Sequence, residues 1–175
     1  MVKKRSTLTR DILAAVAATG SLMVVVLTAP SLPRTLGQLL NKYQRNSLAP
    51  SRIKQRLRDL QRQHLVDISE QGNRTKIRLT KAGRVRVLEY EADDMVIPKQ
   101  TPWDGQWRYV IFDIPEKNKL ARNVFREKLR MLGFVKIQQS VWRHKYPCSP
   151  EIEFLTHLYQ ITRYVSVLQG HSLGQ

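Results

Sequence analysis

The chain has 175 residues, 42% of them hydrophobic, with 30 Lys+Arg against 14 Asp+Glu and a net charge of +16. The apolar fraction excludes wholesale disorder, and the length suits one medium domain or two small ones. The cationic excess favours polyanions without choosing between DNA, RNA and anionic lipid. The single cysteine, Cys148, excludes an internal disulfide, no Cys/His cluster has zinc spacing, and both features fit a reducing cytoplasm.

The charge is uneven. Residues 1–90 hold 18 Lys+Arg and 5 Asp+Glu, whereas residues 91–175 hold 12 and 9. Such a shift predicts two modules with different jobs, the first being the polyanion binder.

At the N-terminus a basic start, Lys3-Lys4-Arg5, precedes an apolar run from Ile12 to Leu27, and no charge occurs between Asp11 and Arg34. A signal peptide or membrane anchor has this outline. Thr19, Gly20 and Ser21 interrupt the run, however, and a single span would place the basic remainder outside the cell. The expectation is instead a helix buried in a compact domain, with no membrane partner.

A second helix is expected from Pro33, with Leu36, Leu39, Leu40 and Tyr43 on one face. A third is expected from Pro50 to Gln63, with Ile53, Leu57 and Leu60 inward. Its other face carries Arg52, Lys54, Gln55, Arg56, Arg58, Gln61, Arg62 and Gln63, with Asp59 as the lone acid. Arg and Gln can make bidentate hydrogen bonds to guanine and adenine edges, and Lys and Arg neutralise phosphates.

Leu65–Ser69 reads as a strand, Gln71-Gly72-Asn73 as a turn, and Lys76–Leu79 as a return strand. Leu79-Thr80-Lys81-Ala82-Gly83 then opens another basic helix. Helices followed by a basic hairpin are ordered as in a winged helix-turn-helix, and this pattern resembles many bacterial winged-helix regulators. The third helix would enter the major groove, while Arg74, Lys76 and Arg78 of the wing would touch the backbone.

The acidic Glu91-Ala92-Asp93-Asp94 and the prolines Pro98 and Pro102 mark 91–102 as a linker. From Trp103 onward the pattern changes. Trp107–Phe112 reads as a strand buried on both faces. Glu116–Leu132 reads as a helix with Ala121, Val124, Phe125, Leu129 and Leu132 inward and Gly133 as its cap. Phe134–Tyr146 suits one bent strand or two, Pro150–Tyr159 a helix, and Tyr164–Leu168 a last strand. The expected fold is α+β, a winged helix over 1–90 and a ferredoxin-like βαββαβ domain over 103–175.

Tyr109-Val110-Ile111-Phe112-Asp113-Ile114-Pro115, then Leu132-Gly133-Phe134 and Gln139-Ser140-Val141-Trp142, resemble the second CRISPR-associated (Cas) family, small adaptation nucleases. Trp103-Asp104-Gly105-Gln106-Trp107 and Tyr146-Pro147-Cys148 look more like PaaX-type transcriptional regulators, which join a winged helix to such a domain. The resemblance implies a short, two-domain form of that layout. It also implies a cytoplasmic, homodimeric regulator of duplex DNA that needs no cofactor to bind. The nuclease resemblance implies an alternative, an endonuclease in which Asp113 of each subunit is the catalytic ligand of Mg²⁺ or Mn²⁺. On the residues alone, Asp113 equally suits a cap at the strand end. No pattern in the chain identifies a small-molecule effector.

Overall fold

A computed structural model describes residues 7–18, 23–25, 50–71 and 74–171. The chain divides into two compact units, residues 1–90 and 91–175. Its elements are mixed α and β, and both sheets are antiparallel.

In the first unit, α1 covers Thr7–Ala18 and β1 Met23–Val25. Helix α2 covers Pro50–Arg62, followed by β2, Val66–Gln71, and β3, Arg74–Leu79. Helix α3, Lys81–Asp94, runs past the boundary at residue 90. The sheet order is β1-β3-β2, with Met23 opposite Ile77 and Ile68 opposite Ile77 on its other side.

The apolar N-terminal run is therefore not one helix. Its first part is α1, which buries Leu8, Ile12, Leu13, Ala15 and Val16. Its second part pairs as a strand, as β-branched Val24 and Val25 prefer, and Gly20 between the two disfavours a continuous helix. No helix among the described residues is long and apolar enough to cross a membrane. The helix expected from Pro33 and the tip of the hairpin, residues 72–73, lie outside the described residues.

Helix α2 packs Leu57 and Leu60 into the same core, with Ile53 at its margin. It ends through a left-handed residue, His64 at φ 54°. Leu65 N–H returns to Leu60 O at 2.9 Å, and His64 N–H to Gln61 O at 2.9 Å. These bonds satisfy the last carbonyls and turn the chain into β2. Thr80 then caps α3: its Oγ1 accepts from Gly83 N–H at 3.0 Å and donates to His64 O at 2.6 Å.

In the second unit, β4 is Trp107–Phe112, α4 Lys119–Met131, β5 Val135–Gln138 and β6 Val141–His144. Helix α5 is Ser149–Leu158 and β7 is Val165–Gly170. The sheet order is β5-β6-β4-β7, so β4 lies between β6 and β7. One face of β4, through Val110 and Phe112, joins Phe125, Leu129, Trp142, Ile152, Leu155 and Ile161 in one apolar core.

Three expectations need correction here. Strand β4 is not buried on both faces: Arg108, Val110 and Phe112 are buried, while Ile111 on the other face is 38% exposed. Residues of both helices of this unit pack against the Val110 and Phe112 face of this antiparallel sheet, so alternation returns. The helix expected from Glu116 begins with a 3₁₀ turn, Glu116–Asn118, before α4. Val124 is 42% exposed rather than inward. Helical geometry sets it off the line of Phe125, Leu129 and Leu132, and the remaining inward position goes to Lys128. The buried Lys128 ammonium is paired with the Asp93 carboxylate. Of the segment 91–102, Glu91–Asp94 complete α3, and Ala92 is buried in the second core with Met95 and Ile97 packed against it.

Gly133, at φ +85°, ends α4 as its spacing implied: Gly133 N–H donates to Arg130 O and Phe134 N–H to Leu129 O, each at 3.0 Å.

Candidate nucleic-acid interface

The buried stripe of α2 fixes which side chains face water. With Leu57 and Leu60 inward, Arg52, Gln55, Arg58, Gln61 and Arg62 are exposed and Arg56 is half-buried. Gln55, Arg58, Gln61 and Arg62 line one open groove. All but Asp59 on this face are cations or amides, so the face offers hydrogen-bond donors without a compensating field of carboxylates.

Asp59 is half-buried and sits among these groups. It accepts from Arg62 Nη2 and from Gln55 Nε2 at 3.2 Å, and Arg56 Nη1 lies at 3.9 Å. The hydrogen bond from Arg62 holds its carboxyl below the usual carboxylate range, with Gln55 and the charge of Arg56 acting the same way. Arg52 and Arg58, by contrast, meet no carboxylate among the described residues. On β3, Arg78 is exposed and Lys76 half-buried. Both belong to the strand paired to β2, one hairpin on from α2. The side chains of Lys54 and Arg74 lie outside the described residues.

The basic helix of the second unit behaves differently. Arg122 donates to Glu116 at 2.6 Å and to Ile114 O at 3.2 Å, and Lys119 lies 3.3 Å from Glu116. Lys128 is taken by Asp93, Arg130 pairs with Glu127 at 2.8 Å, and Arg126 stacks over Phe112 at 5.7 Å. Most of this positive charge serves the unit itself, so a basic α4 does not amount to a basic patch.

Asp113 follows β4 and is exposed; its backbone N–H donates to Tyr164 O at 2.9 Å. The next carboxylate along the chain, Glu116, is committed to Arg122 and Lys119, which hold it below its ordinary range. No cluster of three metal-ligating side chains occurs among the described residues. The described residues of one chain thus do not bring together the several hard oxygen ligands that Mg²⁺ or Mn²⁺ favours.

The motif at Trp103 forms a clasp that the apolar pattern had hidden. Arg108 is only 4% exposed, and Asp104 grips it with both oxygens, one at 2.8 Å from Nη1. That grip, with the Gln106 N–H, lowers the Asp104 pKa to about 2. Gly105 supplies the left-handed turn between them at φ +77°. Trp103 Nε1 and Arg108 Nη1 both donate to Lys145 O, tying the clasp to the end of β6. Cys148 is fully buried beside it, and desolvation pushes its thiol up to about 12, which is the setting of a packing residue and not of a nucleophile.

The chain is thus an α+β protein with two antiparallel sheets, and the polybasic helix α2 lies in sequence between the first two strands of the first. Residues 100–175 match the family of the PaaX protein central Cas2-like domain. No curated protein matches the chain.

Proposed function

We propose that this chain is a duplex-DNA-binding transcriptional regulator of PaaX type. The observation that carries the reading is the water-facing side of α2, where Arg52 and Arg58 are exposed and meet no carboxylate among the described residues, beside Gln55, Gln61 and Arg62. Free guanidinium groups release counterions from phosphates, and arginine forks and glutamine amides match the guanine and adenine edges of the major groove. The element order α1-β1-α2-β2-β3 among the described residues supports a winged helix-turn-helix in which α2 reads the groove and the β2–β3 hairpin touches the backbone. Arg74, Lys76 and Arg78 supply the wing's charge, and Lys54 adds to that of α2. The family match over 100–175 supports the regulator class for the second unit.

The second unit, with elements in the order βαββαβ and sheet order β5-β6-β4-β7, is read as ferredoxin-like and as the homodimerising module. Its open sheet face offers a self-complementary surface: Ile111 is 38% exposed, and Val135 and Leu168 are each 53% exposed. Pairing two chains gives one duplex two α2 helices, the arrangement that a palindromic site requires. Cytoplasmic residence follows from this role, and no cofactor is needed for binding.

The test is a titration of labelled duplex DNA with the purified chain, in Mn²⁺ or in chelator, run on native and denaturing gels. Intact DNA, retarded equally in both by two chains per duplex, is the expected result. Absence of retardation overturns the reading. Metal-dependent shortening that disappears in Asp113→Ala replaces it with the nuclease.

A further inference from the structure

An acidic residue on a DNA-reading helix repels phosphates and weakens every non-specific contact around it. Asp59 is such a residue, and its surroundings give it a use. We propose that Asp59 is a positioning residue for base readout, holding Gln55 and Arg62 in one arrangement before DNA arrives. The proposal rests on the DNA-binding reading of α2 and assigns separate tasks to residues of that one face.

The geometry supports a division of labour. Gln55 lies four residues before Asp59 and Arg62 three after it, so one carboxylate reaches both across adjacent turns of α2. Only the NH₂ end of the Gln55 amide can donate to a carboxylate, so the contact at 3.2 Å fixes which way the amide faces. One N–H of Nε2 is used; the second N–H and the Oε1 remain, and together they make the pair that adenine N7 and N6 require. Arg62 gives Nη2 to Asp59 and retains the rest of its fork for guanine. Side chains ordered in advance lose less freedom on binding, and a base edge demands that order while a phosphate does not. Arg52 and Arg58, exposed and without a carboxylate partner among the described residues, are left to grip the backbone.

Asp59 therefore trades general affinity for discrimination. The experiment enriches duplexes from a random-sequence pool with the full wild-type chain. It then measures Asp59→Ala and Asp59→Asn against both an enriched duplex and the unselected pool over a salt series. The ratio of enriched to unselected affinity is expected to fall roughly tenfold in Asp59→Ala, the order of one base contact. Binding to the unselected pool holds or tightens, and its log–log salt slope steepens by about one. Asp59→Asn retains an acceptor and falls between, so a loss of helix in the alanine variant, read by circular dichroism, leaves the asparagine variant to decide. An unchanged ratio, or an equal fall on both DNAs, overturns the role of Asp59 while leaving DNA binding intact. A wild-type chain that binds no duplex overturns both readings together.

Discussion

Gly83→Ala is expected to destabilise the first unit by about 3 kcal/mol or more, among the severest effects available to one added methyl group. A Cβ built on Gly83 would lie 1.9 Å from Leu65 O, with Leu65 C at 3.0 Å and Leu79 Cδ2 at 3.1 Å. The obstacle is backbone, and it cannot rotate away as a side-chain tip can. Leu65 is pinned on both sides: its N–H bonds Leu60 O at the end of α2, and its carbonyl accepts Thr80 N–H at 3.2 Å. Relief would break the α2 terminus or lift the first turn of α3, where Gly83 N–H meets the Thr80 cap. Because α2 and α3 share that junction, DNA binding is expected to fall with stability. Urea denaturation read by hydrogen exchange on the amides of Leu57, Leu60 and Ile77 checks this, and the neighbouring exposed Ala82, changed to Ser, serves as the control. A midpoint equal to wild type in Gly83→Ala contradicts the close approach.

The double substitution Arg52→Ala with Arg58→Ala carries the second large effect, on binding and not on stability. Both side chains are exposed and without an ionic partner among the described residues, so their loss is expected to change stability by no more than about 0.5 kcal/mol. Each phosphate neutralised contributes about 0.9 to the log–log salt slope, so the slope is expected to flatten by about two. At moderate salt the loss in duplex affinity is on the order of 10- to 100-fold. Lys117→Ala, in the exposed 3₁₀ turn of the second unit, is the control for loss of a cation elsewhere and leaves both quantities in place. Fluorescence anisotropy across a salt series measures both. An unchanged slope means that α2 does not face the phosphates.

Periodicity made α2, β2, β3 and the caps at Thr80 and Gly133 legible, because each depends on residues within one or two turns. The features that escaped depend on distant parts of the chain. Met23–Val25 reads as helix by continuity with Ile12–Ala18, and only its pairing with Thr75–Ile77 makes it a strand. Val124 and Lys128 exchange their expected places because Asp93, 35 residues earlier, satisfies a buried ammonium. Arg108 passed as an interruption of an apolar run, since its burial depends on Asp104 and on the Lys145 carbonyl. For the candidate site, the basic face of α2 was visible as a count of charges. Which of those charges Asp59 engages was not: it meets Gln55, Arg56 and Arg62 and not Arg52 or Arg58, a matter of rotamers and not of spacing. Four of the six cations from Lys117 to Arg130 show the same point in reverse, because the partners of Lys119, Arg122, Lys128 and Arg130, namely Asp93, Glu116 and Glu127, become apparent only once α4 is folded.

The most direct test of the central claim is backbone amide NMR of the labelled full chain during titration with duplex DNA. Shifts concentrated in Arg52–Gln63 and Arg74–Leu79 are expected, with the amides around Asp113 unmoved. Shifts confined to residues 107–170, with α2 silent, would contradict the account and place nucleic-acid contact in the second unit.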